Sequence, residues 1–196
     1  MTMLNVSSPD HTELHDLFAR LQGGDESAFH EVSEVLYQEL YRIASRQLRS
    51  ERSNHTLQPT ALVHEAYLKL SDFQGRQFTG QVHFLATASR VMRQVLVDYA
   101  RARGSQKRGG GGTPVPVTNV EIESETGLEL IDLIALNDAI QDLGVEDESL
   151  ARMIEMRFFG GLTAEEIADA LGMSVHTVRH DLRYGQAWLR RRLAKA

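Results

Sequence analysis

The sequence predicts an all-α protein: two helical domains joined by a flexible Gly/Pro linker, the second domain a helix-turn-helix. Three observations predict it. Apolar residues recur three and four apart through almost every long segment, the period of an amphipathic helix. Strand signals are nearly absent outside Val-Pro-Val at 115–117. The stretch GSQKRGGGGTPVPVTNV, residues 104–120, holds five glycines and two prolines and splits the chain into two helical blocks. The boundaries expected are 10–103 for the first domain, 104–127 for the linker and 128–196 for the second.

In the first block, residues 11–22 and 26–49 read as helices. Asp25 is placed to cap the second, along which Phe29, Val32, Leu36, Leu40, Ile43 and Leu48 keep a helical period. The polar stretch SERSNHTLQP ends on Pro59 and marks a boundary. From Thr60, TALVHEAYLKLSDF resumes as a helix with Val63, Ala66, Tyr67 and Leu70 inward and His64, Glu65, Leu68 and Lys69 outward. QGRQFTGQ, with Gly75, Arg76, Gln77 and Gly80, is a loop. A long helix then spans about His83 to Arg103. Leu85, Ala88, Met92, Val95, Leu96 and Tyr99 are its packing face. Arg90, Arg93, Gln94, Val97 and Arg101 stand at i, i+3, i+4, i+7 and i+11, a basic ribbon about 30 Å long at ~1.5 Å per residue. The plain alternative for that ribbon is the solvated face of a bundle helix.

The glycine run of the linker is not a phosphate loop: no strand precedes it, and the lysine and hydroxyl that follow the last glycine of such a loop are missing. Beyond it, Leu128–Leu143 and Glu148–Phe159 read as helices. Leu130, Leu133, Ile134, Leu136, Ile140, Ile154, Phe158 and Phe159 are the expected core around Val178 and Leu182. The last stretch is LTAEEIADALGMSVHTVRHDLRYGQAWLRRRL. Thr163 with Glu166 is a capping box, Gly172 a helix stop, and Ser174 the N-cap of the next helix. Val175, Val178, Leu182, Gly185 and Leu189 form a packing stripe, and the opposite face carries His176, Thr177, Arg179, His180 and Arg183. Two short helices about a glycine turn, the second polar outside, describe a helix-turn-helix that enters the DNA major groove.

With 196 residues, 42% of them apolar, the chain has room for a proper core and is not a disordered polymer. No apolar run approaches the ~18 residues that span a bilayer. The opening MTMLNVSSPDHTELHDLF lacks a basic n-region and an apolar h-region, so a cytoplasmic protein is expected, without membrane insertion. The absence of cysteine removes disulfides and thiolate metal sites. The net charge of −6 conceals segregation: residues 84–108 carry +5, residues 119–155 carry −10 and residues 174–196 carry +5. Two basic blocks around an acidic one suit a bipartite DNA contact. If the domains pack together, the acidic block is placed to mask the basic ribbon.

On these motifs the chain resembles the extracytoplasmic-function (ECF) class of bacterial sigma factors, the detachable promoter-specificity subunits of RNA polymerase. ALVHEAYLKL resembles the family's polymerase-clamp helix. HFLATASRVMRQVLVDYARAR is similar to its promoter-melting helix, which reads the −10 element. RFFGGLTAEEIADALGMSVHTVRHDLRYGQAWLR is similar to its −35-reading domain. TALVHEAYLKL, the glycine-rich linker and RFFGGLT together particularly resemble a branch common in planctomycetes and related bacteria. The chain departs from many relatives in having LQPTAL where they carry an acidic run, and Phe84 where they carry tryptophan.

The resemblance implies a non-enzymatic transcription-initiation subunit without a cofactor, whose partners are core RNA polymerase and promoter DNA. It admits an anti-sigma factor or other regulator. His64, Glu65, Leu68 and Lys69 would bind polymerase. Arg76, Gln77 and Phe84 would hold an unstacked base, and Arg90, Arg93, Gln94 and Arg101 would follow the strand. Ser174, His176, Thr177, Arg179, His180 and Arg183 would read the −35 duplex. The rival readings are a stand-alone helix-turn-helix regulator, which leaves residues 60–103 without a role, a metalloenzyme and a helical protein-binding adaptor. His11/His15 and His176/His180 have metal-ligand spacing but no third ligand nearby, so they read as surface histidines and no metal is expected. The twin basic blocks argue against the adaptor.

Overall fold

Most changes of period or composition in the sequence become turns in the backbone. The computed structural model describes the backbone over residues 11–48, 57–72, 78–108, 119–124 and 127–194, and side chains over 12–48, 57–72, 78–102 and 133–194. The first helices are α1 (His11–Gln22), α2 (Glu26–Val35) and α3 (Tyr37–Leu48). Asp25 caps α2 as expected, its carboxylate accepting from the Ser27 N–H at 3.0 Å. Arg20 ties that cap to α2, donating to Asp25 at 2.9 Å and to Glu31 at 2.8 and 2.9 Å. The single helix expected over 26–49 bends at Leu36. The bond ladder runs through the bend, from the Leu36 N–H to Val32 at 2.9 Å and from the Leu40 N–H to Leu36 at 3.0 Å. Leu36 itself is completely buried.

Helix α4 (Pro59–Ser71) begins on a proline, whose fixed φ and missing N–H suit the first helical turn. It buries Leu62, Val63, Ala66 and Leu70. Helix α5 (Gln81–Arg108) has 28 residues, about 42 Å at ~1.5 Å per residue, and runs past the expected stop at Arg103. It packs against α3 and α4 and against three later helices. Those last three are α6 (Leu133–Glu146), α7 (Glu148–Phe158) and α8 (Ala164–Leu171), followed by α9 (Val175–Leu193).

The fold class is all-α. Among the described residues the one addition is a two-stranded antiparallel hairpin, β1 (Asn119–Ser124) and β2 (Gly127–Asp132), in register from Asn119 opposite Asp132 to Ser124 opposite Gly127. It corrects two expectations. Residues 104–120 are not free of regular structure, and the helix expected from Leu128 starts at Leu133. The reason is visible in NVEIES and GLELID, where acidic and apolar residues largely alternate with the two-residue period of a strand. The rest of the expected linker, residues 109–118 and 125–126, lies outside the described residues.

Buried apolar side chains from both blocks form one cluster, from Leu14 and Phe18 through Phe84, Met92 and Leu96 to Ile154, Phe159 and Leu182. The expected core residues Leu133, Leu136, Ile140, Ile154 and Phe159 lie in it, Ile134 and Phe158 are half-buried, and nothing is described of the Leu130 side chain. Among the described residues no helix is long and apolar enough to cross a membrane.

Candidate nucleic-acid and polymerase interfaces

The α8–α9 unit is built by local bonds. The Thr163 hydroxyl accepts from the Glu166 N–H at 3.2 Å, and the Glu166 carboxylate accepts from the Thr163 N–H at 2.7 Å, closing the capping box. Gly172 ends α8 at φ 64°, ψ 33°, the left-handed region in which a Cβ is costly. The Ser174 hydroxyl then caps α9, accepting from the Thr177 N–H at 3.1 Å. Val178, Leu182, Gly185 and Leu189 face inward, and Gly185 lies so close to α7 that a Cβ there would sit 2.8 Å from Ile154 Cδ1. Trp188, absent from the expected core, is 8% exposed and donates its indole N–H to Glu146 at 3.0 Å, fixing the far end of α9 on α6.

The face opposite is exposed at His176, Thr177, Arg179, His180 and Arg183. Arg179 pairs with Glu165 of α8 at 2.5 Å and His180 contacts Asp181 at 3.1 Å. Both pairs lie in solvent, where such contacts contribute ~0–1 kcal/mol, so the side chains can be recruited by another partner at little cost.

The loop that sets α8 against α7 is Gly160–Gly161. Gly161 has φ 68°, and the Arg46 guanidinium of α3 occupies the place its Cβ would take. The paired glycines of RFFGGLT therefore bring α3 to the end of α7. Beside them the buried Gln47 amide donates to the Ser89 carbonyl and hydroxyl, each at 3.2 Å, and to the Phe159 carbonyl at 3.4 Å.

On α4, His64, Glu65, Leu68 and Lys69 are all exposed, Leu68 at 43%. Lys69 pairs with Asp98 of α5 at 3.2 Å. A single leucine exposed to this degree is ordinary on a protein surface.

The ribbon on α5 differs most from expectation. Arg90, Gln94 and Arg101 are exposed, but Arg93 and Val97 are each 3% exposed. Arg93 donates to Asn137 of α6 and to Glu155 of α7, with its guanidinium carbon 5.3 Å from the centre of the Phe159 ring. Arg90 lies 3.9 Å from the same Glu155, and Arg101 donates to Asp138 of α6 at 3.0 Å. Burial pushes the Arg93 guanidinium below the usual arginine value and Glu155 restores part of it; the group stays charged. Arg93 is thus a buried bridge between the two blocks in this arrangement and not an open strand contact.

Phe84 is corrected in the same way. It is fully buried, edge-on to Phe78 at 5.1 Å, Phe29 at 6.1 Å and Phe18 at 6.2 Å, so its ring cannot stack on a base here. Arg76 and Gln77 lie outside the described residues. Next to Phe84, the His83 imidazole accepts from the Thr79 N–H at 3.2 Å, and burial together with the charge of Arg152 holds its pKa below the usual histidine value.

Between α5 and α6–α7 lies a cleft of about 540 Å³, with Arg90 and Gln94 on one wall and Gln141, Arg152 and Glu155 on the other. Among the described residues no group of three or more His, Asp or Glu side chains is gathered that could hold a metal ion. Asn137, Asp138 and Glu155 are the contact residues the sequence did not single out. The acidic excess of residues 119–155 was their only signal.

A search of curated proteins finds no match. The family model described as ECF sigma factor matches residues 11–195, running through both blocks and every helix among the described residues, and the chain therefore belongs to the ECF sigma factor family, DNA-binding factors of transcription initiation.

Proposed function

We propose that the chain is a promoter-specificity subunit that binds bacterial core RNA polymerase through the outward face of α4 and reads two promoter elements with α9 and α5. The observation that carries this reading is the α8–α9 unit. Its two helices are fixed by a capping box, a left-handed glycine and a serine cap, and α9 presents five exposed polar side chains opposite its buried stripe. That arrangement supports reading α9 as the helix laid in a major groove, where side chains near its N-terminus would meet base edges and later ones phosphate. Ser174 serves as the cap that orients the helix start.

His64, Glu65, Leu68 and Lys69 form the proposed docking patch. Arg90, Gln94 and Arg101, with Arg93 once released from Glu155, form the proposed strand-binding face. The experiment is co-elution with core polymerase on a sizing column. Glu65→Lys combined with His64→Ala should weaken the complex and leave helicity unchanged; co-elution equal to that of the parent chain would sink the docking assignment.

One observation favours a second reading, a stand-alone helix-turn-helix regulator: the α9 face is exposed while Arg93 of α5 is covered. Tight, sequence-selective binding to duplex DNA without polymerase would select it.

A further inference from the structure

The strand-binding face of α5 already has an occupant. Each of its arginines meets a carboxylate from the second block: Arg93 and Arg90 share Glu155, and Arg101 holds Asp138. Helices α6 and α7, residues 133–158, carry six acids against two arginines. Carboxylate and phosphate oxygens are the same kind of acceptor for a guanidinium, so these acids stand where strand phosphates would stand.

We propose that the α6–α7 face is an intramolecular competitor of the nucleic-acid strand, so that the closed chain cannot hold a strand along α5. The proposal rests on reading α5 as the strand-binding helix. Opening means displacing Asn137, Glu155 and Asp138 from α5, and the interface is of a kind that can separate. It buries the polar groups of Arg93 and Asn137 beside its apolar contacts, it borders an open cleft, and it leaves two buried polar atoms, Arg93 Nε and Gln47 Oε1, without a hydrogen-bond partner. Such atoms lower the net gain from closing. Closure is also selective. The α4 patch and the α9 face remain exposed, so polymerase docking and duplex reading need no prior opening, whereas strand capture does.

The chain has no cysteine, which permits a direct test on the full-length protein. Thr87→Cys on α5 and Gln141→Cys on α6 place two thiols in the cleft, on opposite walls. They are bridged with a bis-maleimide whose linker contains a disulfide. Binding of a fluorescent single-stranded oligonucleotide is followed by anisotropy, before and after reduction. The bridged chain should bind at least about tenfold more weakly than the reduced one, as expected when two or three phosphate contacts are blocked. A Glu155→Gln/Asp138→Asn chain, unbridged, should bind more tightly than the parent. Equal binding by bridged and reduced chains overturns the proposal. So does a Glu155→Gln/Asp138→Asn chain that is expanded in solution scattering yet binds no better. The underlying reading is checked separately with Arg90→Ala/Arg101→Ala in the reduced chain. Unchanged binding there removes the strand reading and the closure with it; arginine-dependent binding that the bridge leaves untouched removes the closure alone.

Discussion

Arg93 and Arg101 sit on the same helix, each paired with an acid of the second block, yet their removal should have very different costs. Arg93 is 3% exposed and Glu155 17% exposed. Breaking a buried pair by deleting one partner costs ~3–5 kcal/mol, because the other charge stays behind without compensation. Glu155 keeps some contact with solvent, so Arg93→Ala should fall at the low end, about 3 kcal/mol. Arg101 and Asp138 are each 50% exposed at 3.0 Å, and pairs of that kind contribute ~0.2–1 kcal/mol. The assay is urea unfolding of the two single variants, the partner variants Glu155→Ala and Asp138→Ala, and both doubles. Far-UV circular dichroism follows the whole chain, and the single tryptophan, Trp188, follows the second block. The Arg93–Glu155 coupling should be about 2 kcal/mol and that of Arg101–Asp138 under about 0.5 kcal/mol. In 1 M salt, where the screening length is ~3 Å, the second coupling should vanish and the first persist. Equal couplings, or two that disappear together in salt, would mean that Arg93 is solvated and the blocks do not pack as described.

Three other outcomes are expected. Asp25 should titrate at about 2, held down first by the Ser27 hydroxyl and then by Arg20. Its stabilising contribution is therefore present above the ordinary carboxylate value and lost as pH falls through the folded one. Ser27→Ala, and Arg20→Ala separately, should each move the carboxyl resonance midpoint in an NMR titration upward, and an unmoved midpoint would remove the cap network as its cause. Gly161→Ala puts a Cβ at φ 68° and against the Arg46 guanidinium. The left-handed backbone alone costs ~1–2 kcal/mol, so the melting temperature should fall by about 4 °C or more, while Gly80→Ala, with open space around it, should change little. His176→Ala or Arg179→Ala should cost ~1–3 kcal/mol at particular upstream bases, whereas Arg183→Ala should weaken binding evenly across sequences and reduce its salt dependence. Competition binding against a set of single-base variants of an upstream site separates the two patterns.

The features legible in the sequence are those whose physics is local. The Thr163–Glu166 box, the Gly172 stop and the Ser174 cap each depend on residues within about one turn, and all three stand as read. The outward set on α4 was legible for the same reason: one face of a short helix is apolar and must be buried. Helix α5 defeats that logic because it is packed on two sides. Its Met92–Leu96 stripe and its Arg93–Val97 stripe are both buried, and spacing alone cannot show that the second meets a partner rather than water. Phe84 has the same ambiguity. A base-stacking ring and a core ring look alike in sequence, and what buries it comes from α1, α2 and Phe78, up to 66 positions away in the case of Phe18.

One long-range signal did survive in the sequence, though only at the scale of segments. Residues 84–108 carry +5 and residues 119–155 carry −10, close together along the chain. Opposite blocks so near one another attract whatever the individual partners are, and in the structure the two do meet. Segment charge does not choose the partners. Glu155 reaches Arg93 because the turn between α6 and α7 at Asp147 brings α7 back along α6, and because Gly160 and Gly161 let α3 close on the end of α7. Those are backbone facts, and they turn a diffuse attraction into one buried guanidinium held by two named side chains. The same segregation that points to DNA in the sequence thus becomes, in the folded chain, a contact between the two blocks, the one a strand would have to displace under the proposed reading.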